Sequence, residues 1–476
     1  MTERIRLPQI IQGGMGIAVS NWRLARAVAS AGQLGVVSGT AIDSVLVRRL
    51  QDGDPCGSVR RAMAKFPIPD VTQHVLKRFF KPEGRAAGEQ YKLLPMYRQT
   101  MNPLRQQITM LASFVEVTLA KEGHDGVVGI NLLTKVQMPN LPTLYGAMLA
   151  GVNVVLMGAG IPRDIPGALD AMAQHETATI KFDVEGMPSG QSTSLAFDAR
   201  LHNPEAQGAL ERPLFFPIVS AASLAQNLQR KANGRVDGFV VEGPTAGGHN
   251  APPRGPLKLS DTGEPIYGER DVVDMAAMRE LGLPFWLAGG SGSPEGLEMA
   301  LAQGAAGIQV GTLFAYSEEG GFTPEIKQAV LAAAADDRLT VRTDIRASPT
   351  GFPFKLAMVN GLPILHTPRK RVCDLGYLRS AHHEEDGRIT YRCAAEPIDT
   401  YVAKGGDVAD TEGRQCLCNA LMADIGLGQQ REGYVEPPLV TSGDDVVNIM
   451  KFLQGRDSYN AADAIAYLQR QALVPA

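Results

Sequence analysis

Eight short apolar runs, most closed by glycine and most followed by a helical pattern, constrain the fold of this 476-residue chain more than any other feature. In order they are "PQIIQGGM", "LGVVSGT", "DGVVGINLL", "GVNVVLMGAG", "LFFPIVS", "VDGFVVEG", "PFWLAGG" and "AAGIQVGT". Strands wetted on one face alternate apolar and polar residues. These runs are mostly continuous, as strands of a parallel sheet covered by helices on both faces should be. The helical pattern is clear over 20–31, where Leu24, Ala25, Val28 and Ala31 share one face, Ser20 is placed to cap and Gly32 to stop. Eight βα units predict an α/β fold, a (β/α)8 TIM barrel. A doubly wound open sheet is the alternative, and the strand count favours closure.

Two segments break the rhythm. Residues 52–122, rich in Arg, Lys, Gln and Met, read as a helical insertion after the second βα unit. Residues 177–213 alternate and turn like a hairpin. The barrel pattern ends near Ser348, which divides the chain into a barrel over 1–348 and a cysteine-containing C-terminal segment over 349–476. A net charge of −4 gives no reason to expect nucleic acid or an anionic membrane as a partner. No run of about 18 apolar residues marks a membrane span. The start "MTERIRLPQ" lacks the apolar region of a signal peptide, so a cytoplasmic protein is expected.

In such barrels the chemistry sits at the C-terminal ends of the strands. The first strand ends in Gly13, Gly14 and Met15, where bare backbone lets a flat ligand approach. The seventh ends in Gly289, Gly290 and Ser291, ahead of a Ser293-Pro294 helix start. The eighth ends in Gln309, Gly311 and Thr312. Paired small-residue turns after strands seven and eight are the usual phosphate site of this barrel class. His249 ends the sixth strand region behind Gly247-Gly248, a hinge that aims an imidazole at the barrel mouth. With an ordinary pKa near 6.5, that ring exchanges protons at neutral pH. Arg254 is a candidate for binding an anionic substrate, or else an exposed loop arginine.

The motifs "IIQGGMG", "AGGH", "LAGGSGSPEG" and "GIQVGTLF" resemble those of the FMN-dependent nitronate monooxygenases, formerly 2-nitropropane dioxygenases, over roughly residues 5–320. Flavin-dependent enoyl-ACP reductases share the barrel and the motifs. The resemblance implies FMN, with Gly13, Gly14 and Met15 against the isoalloxazine ring and Asn131 nearby. It implies a phosphate held by Gly289, Gly290, Ser291, Gly311 and Thr312, with Gln309 alongside and His249 as the catalytic histidine. The implied reaction oxidises nitronates or nitroalkanes with O2 to a carbonyl product and nitrite, His249 acting as base or orienting group. The alternative is an NAD(P)H-dependent enoyl or quinone reductase, including one of fatty-acid or polyketide biosynthesis. A small-molecule substrate, with O2 or NAD(P)H, is expected, and a homo-oligomer is compatible. Two further readings stay open: a non-redox phosphate-binding barrel, and a flavin-binding partner subunit with little activity of its own. The sequence departs from the family in "NAPPRG" after His249, in the helical insertion and in the C-terminal segment.

Four of the five cysteines, Cys373, Cys393, Cys416 and Cys418, fall in that segment. They suggest Zn2+ or an iron–sulfur cluster, or else thiols packed as small hydrophobes. Cys416 and Cys418 would share one face if extended. His382 and His383 read as a polar loop, and Cys56 stands alone.

Overall fold

The computed structural model describes residues 7–336, 338–362, 367–453 and 455–470. The start of the chain used for the leader reading therefore lies in part outside the described residues. All eight apolar runs form strands: β1 (Ile10–Gln12), β2 (Gly35–Ser38), β3 (Val128–Leu133), β4 (Val154–Gly158), β5 (Leu214–Val219), β6 (Phe239–Glu242), β7 (Phe285–Ala288) and β8 (Gly307–Val310). Every pairing between them is parallel, in the order β1-β8-β7-β6-β5-β4-β3-β2. The remaining seam is bridged between Ile11 and Leu34, with Gln12 N donating to Leu34 O at 2.9 Å and Leu34 N to Ile10 O at 3.1 Å. The sheet is thus a (β/α)8 barrel and not an open doubly wound sheet.

Alternate side chains of these strands fill the interior. Ile11, Leu34, Val36, Val154, Leu156, Phe216, Val240 and Trp286 form one buried cluster. Trp286 stacks on Phe216 at 5.0 Å, and its indole N–H donates to Pro8 O at 3.0 Å. Burying an indole of this size removes about 250 Å² from water, roughly 6 kcal/mol before entropy is counted. The other faces of the strands pack against the helices, so each strand is apolar throughout.

The segment between β2 and β3, read as a helical insertion, is helical and is built into the barrel's outer ring. Its helices are Ser58–Met63, Pro69–Phe79 and Pro103–Ala120. The last starts with Asn102 capping Leu104 N and Pro at the first position. It lies in the outer ring, packed against helices Trp22–Ser30, Ile42–Gln51 and Asn140–Leu149. Its Arg105 makes a buried ion pair of 2.6 Å with Asp43 of helix Ile42–Gln51. The hairpin reading over 177–213 matches an antiparallel pair, Thr177–Phe182 with Thr193–Asp198.

Residues beyond 348 fold back over the C-terminal ends of the barrel strands. Strand Phe354–Met358 pairs with Gly248–His249 on one side and Thr340–Asp344 on the other. Tyr377 donates to Asp43 and shares a 2.7 Å hydrogen bond with Ser44, tying this segment to the ring helices. Helix Ala461–Leu468, with an Asn460–Asp463 capping box, packs on Trp22–Ser30. Among the described residues no helix is long and apolar enough to cross a membrane.

Candidate active site

A cavity of about 390 Å³ opens at the C-terminal ends of the barrel strands. That volume lies in the range of small-molecule and cofactor sites. Gly13, Gly14, Met15 and Asn131 form one wall. Gly289, Gln309, Gly311 and Thr312 form another, and His249 stands at a third. Gly290 and Ser291 belong to the turn after β7 but are not among the residues that line the cavity.

The glycines are not equivalent. A Cβ on Gly14 would lie 2.1 Å from Asn131 Cβ, so only glycine allows β1 and β3 to approach this closely. Asn131 Nδ2 then donates to Gly14 O at 3.1 Å and fixes the bare peptide as a wall. Gly289 and Gly290 have φ of +87° and +69°, the left-handed region that turns the chain directly from β7 toward its helix. That helix, Pro294–Ala302, is capped by Ser293, whose Oγ accepts from Gly296 N at 3.0 Å. Gln309 lines the cavity, and its Oε1 is buried without a hydrogen-bond partner. A glycine wall, an unpartnered amide and a small-residue turn beside a helix start together fit a flat ring carrying a phosphate, such as FMN.

His249 is held from three sides. Gly248, at φ +79°, makes the turn before it. Its ring stands edge-on to Phe354 at 4.8 Å, and Nε2 shares a 2.7 Å hydrogen bond with Ser348 Oγ. Ser348 Oγ in turn meets Thr350 Oγ1 at 2.8 Å, and Lys135 Nζ donates to Thr350 O at 3.2 Å. Burial, reinforced by the positive charge of Lys135, lowers the imidazole pKa to about 4. The ring is therefore neutral at pH 7, and not poised near 6.5 as a free imidazole would be. Lys135 itself lies over the Phe352 ring and is lowered to about 8 by burial.

Several wall residues escape a reading of the sequence by motif. Glu242 ends β6 in the cavity, where burial pushes its carboxyl up to about 7. Its one sequence signal is a charged residue closing the apolar run "FVVE" at the active end of a strand. Gly443 and Asp445 come from the C-terminal segment: Gly443 N donates to Thr312 Oγ1 at 3.2 Å, and burial raises the Asp445 carboxyl. Ser348 gives no signal, because it lies where the βα rhythm stops.

Other candidates lie elsewhere. Arg254 is outside the cavity wall, its side chain donating to Ser220 O at 2.7 Å. His382 and His383 belong to strand Ser380–His383, not to a loop. The four C-terminal cysteines line a separate small cavity, but no three His, Cys, Asp or Glu side chains among the described residues converge to hold a metal ion. The expectation of zinc or an iron–sulfur cluster on Cys373, Cys393, Cys416 and Cys418 is corrected on that ground. Cys416 and Cys418 are also not in a strand: Cys416 occupies the N-cap position of helix Leu417–Asp424 and Cys418 lies in its first turn.

Comparison with known proteins supports the motif reading. The family described as "Nitronate monooxygenase" matches residues 168–352. A probable nitronate monooxygenase of Bacillus subtilis (strain 168) is 35% identical over 124 residues, 26% of this chain and 34% of that protein. One of Staphylococcus haemolyticus is 30% identical over 129 residues, 27% of this chain and 34% of that protein. A (3aS,4S,5R,7aS)-5-hydroxy-7a-methyl-1-oxo-octahydro-1H-indene-4-carboxyl-CoA dehydrogenase of Rhodococcus jostii is 28% identical over 148 residues, 30% of this chain and 36% of that protein. The chain spans about a third of the length of these curated relatives. Among solved structures, a nitroalkane oxidase from Streptomyces ansochromogenes aligns over 98% of this chain and 95% of its own at 15% identity, TM-score 0.46. The sequence matches bear out the resemblance to the nitronate monooxygenase family.

Proposed function

We propose that this chain is an FMN-dependent oxidoreductase of the nitronate monooxygenase type, taking an alkyl nitronate and O2 to a carbonyl compound and nitrite. The observation that carries this reading is the neutral His249 ring at the wall of a glycine-sided cavity. Bound FMN would supply the electron transfer, and the chain supplies position and polarity. Gly13 and Gly14 would lie against the ring, and Gln309 would satisfy its free acceptor on the ligand. The turns at Gly289 and Gly311–Thr312 would take the phosphate.

The imidazole decides between two kinds of substrate. A group whose conjugate acid has a pKa near 4 is a weak base for removing a proton from carbon at neutral pH. It is well suited to hydrogen-bond an anion without itself carrying charge. His249 therefore orients a nitronate already formed in solution, and the neutral nitroalkane is the poorer substrate. Lys135, linked to the ring through Ser348 and Thr350, adds positive potential on the same side.

The test is steady-state turnover by FMN-loaded protein, following O2 consumption and nitrite release. Preformed nitronate should turn over at least tenfold faster than the parent nitroalkane at a pH where that compound is un-ionised. Equal rates on the two would return proton abstraction to His249. Turnover of enoyl thioesters with NADH or NADPH, and none of nitronate, would replace this reading with the reductase.

A further inference from the structure

The C-terminal segment gives the large cavity a group of leucines on the His249 side. Phe354, edge-on to the His249 ring at 4.8 Å, belongs to a buried apolar cluster with Leu417. Leu378 and Leu421 pack against that cluster, and all three leucines line the cavity. Leu417 and Leu421 lie four residues apart in helix Leu417–Asp424, so they share one face of it. Leu378 follows Tyr377, whose buried hydroxyl is engaged by Asp43 and Ser44. Ile17 and Leu133 extend the apolar lining from the barrel side. Leucines that only packed the core would be covered, whereas Leu378 and Leu421 are half-buried and keep surface open to the cavity.

The charge of the lining narrows the ligand further. Among the described residues, no lysine or arginine lines the cavity. Its ionisable side chains besides His249, Tyr377 and Cys418 are two carboxyls, Glu242 and Asp445. Lys135 and Arg414 surround Ser348 but are not lining residues, and each is turned onto a backbone carbonyl. Lys135 Nζ donates to Thr350 O at 3.2 Å, and Arg414 Nη1 donates to Ser348 O at 2.7 Å. One anionic group is accommodated at the neutral His249 ring. A second, several bonds away, would be desolvated among leucines with no cation to pair with.

We propose that Leu378, Leu417 and Leu421 form the pocket for the substrate's carbon chain, and that they select nitronates with an apolar chain over short nitronates and over nitronates that carry a carboxylate. This rests on the nitronate reading of the site and names the substrate class within it. With the nitronate group at His249, the chain runs toward the leucines beside Phe354. Each methylene moved from water onto such a wall strengthens binding about fourfold, until the leucines are covered. The pocket is formed in advance, because Tyr377 anchors the residue before Leu378 and one helix face presents the other two. Chain binding therefore carries little ordering cost.

The experiment uses the FMN-loaded full chain and two ligand series. In the first, the nitronates of nitroethane, nitrobutane, nitrohexane and β-nitropropanoate are compared by kcat/KM from O2 consumption. In the second, butanoate, hexanoate and octanoate, with adipate as the dianion, stand in for the nitronate without reacting, and binding is read from the absorbance of the bound flavin. From nitroethane to nitrobutane, kcat/KM should rise roughly tenfold. The nitronate of β-nitropropanoate should fall at least tenfold below that of nitrobutane. Dissociation constants should fall in order of chain length, and adipate should bind more weakly than hexanoate. Leu421→Arg should reverse both preferences against the dianions; the wild-type series decides the matter where that variant fails to fold. Nitronates turned over without regard to chain length, or with β-nitropropanoate preferred by the wild type, overturn the pocket and leave the nitronate reading intact. No nitronate turned over, with carboxylates still bound in order of chain length, overturns the nitronate reading and supports the apolar pocket.

Discussion

Replacing Gly14 with alanine tests the cavity wall at its tightest point. The new Cβ would lie 2.1 Å from Asn131 Cβ, 2.7 Å from its Cγ and 3.2 Å from its Nδ2. Asn131 sits in β3 and is held by pairing to both β2 and β4, so its Cβ cannot swing away as a flexible side-chain end would. The two strands must separate or the wall must buckle. Overpacking of this kind costs about 1–3 kcal/mol, and a contact between two Cβ atoms belongs at the upper end. Because all three of the nearest atoms belong to Asn131, removing its side chain should relieve the clash. Gly14→Ala combined with Asn131→Gly should therefore be less destabilised than the sum of the single changes by about 1–2 kcal/mol. Combined with Asn131→Ala, which keeps the Cβ, it should recover little. The assay is urea unfolding of the apo forms, so that cofactor binding does not enter. Gly13→Ala is the control: its Cβ would meet nothing nearer than Val310 O at 3.4 Å, an ordinary contact. It should fold normally yet bind FMN more weakly. A Gly14→Ala protein as stable as wild type, within about 0.5 kcal/mol, would refute the reasoning.

Three other outcomes follow from the same geometry. Ser348→Ala frees the His249 ring, and loss of about 1 kcal/mol of positioning should raise the nitronate KM roughly fivefold with kcat little changed; an unchanged KM would remove Ser348 from the site. Glu242 has a folded pKa of about 7, raised by burial, so it contributes stability at low pH that is lost as pH rises through 7. Glu242→Gln should flatten the melting temperature of the apo protein between pH 5 and pH 8, and a slope equal to wild type would contradict the burial argument. For Asp43, burial raises the carboxyl pKa, but Arg105 and its hydrogen bonds outweigh burial and leave it lowered. Asp43→Asn strands a buried guanidinium and should cost about 3–5 kcal/mol in denaturant unfolding.

The barrel was legible because its strands are buried on both faces, which leaves continuous apolar runs that no surface constraint interrupts. The glycine turns were legible for a related reason: Gly14 and Gly289 are needed by backbone geometry, and glycine is visible in a sequence. The helix Pro103–Ala120 was read as part of an insertion because Ser58–Met63 and Pro69–Phe79 come first and delay the ring helix. Most of the C-terminal contribution was hidden. Ser348, Gly443 and Asp445 reach the site through long-range folding of loops, and nothing in local spacing marks a loop that closes on a distant cavity. His249 was located by its glycines, but its protonation state was not. That state depends on Phe354 and Lys135, from the C-terminal segment and the loop after β3, packing around the ring. Spacing misjudged Cys416 and Cys418, since a helix start, not an extended strand, carries them.

The most direct test of the central claim is anaerobic mixing of FMN-loaded protein with an alkyl nitronate, NADH or NADPH in separate experiments, following the oxidised flavin band. The account predicts rapid bleaching by the nitronate and slow or no bleaching by either nicotinamide. Bleaching by a nicotinamide alone, or a protein that takes up no FMN, would contradict it.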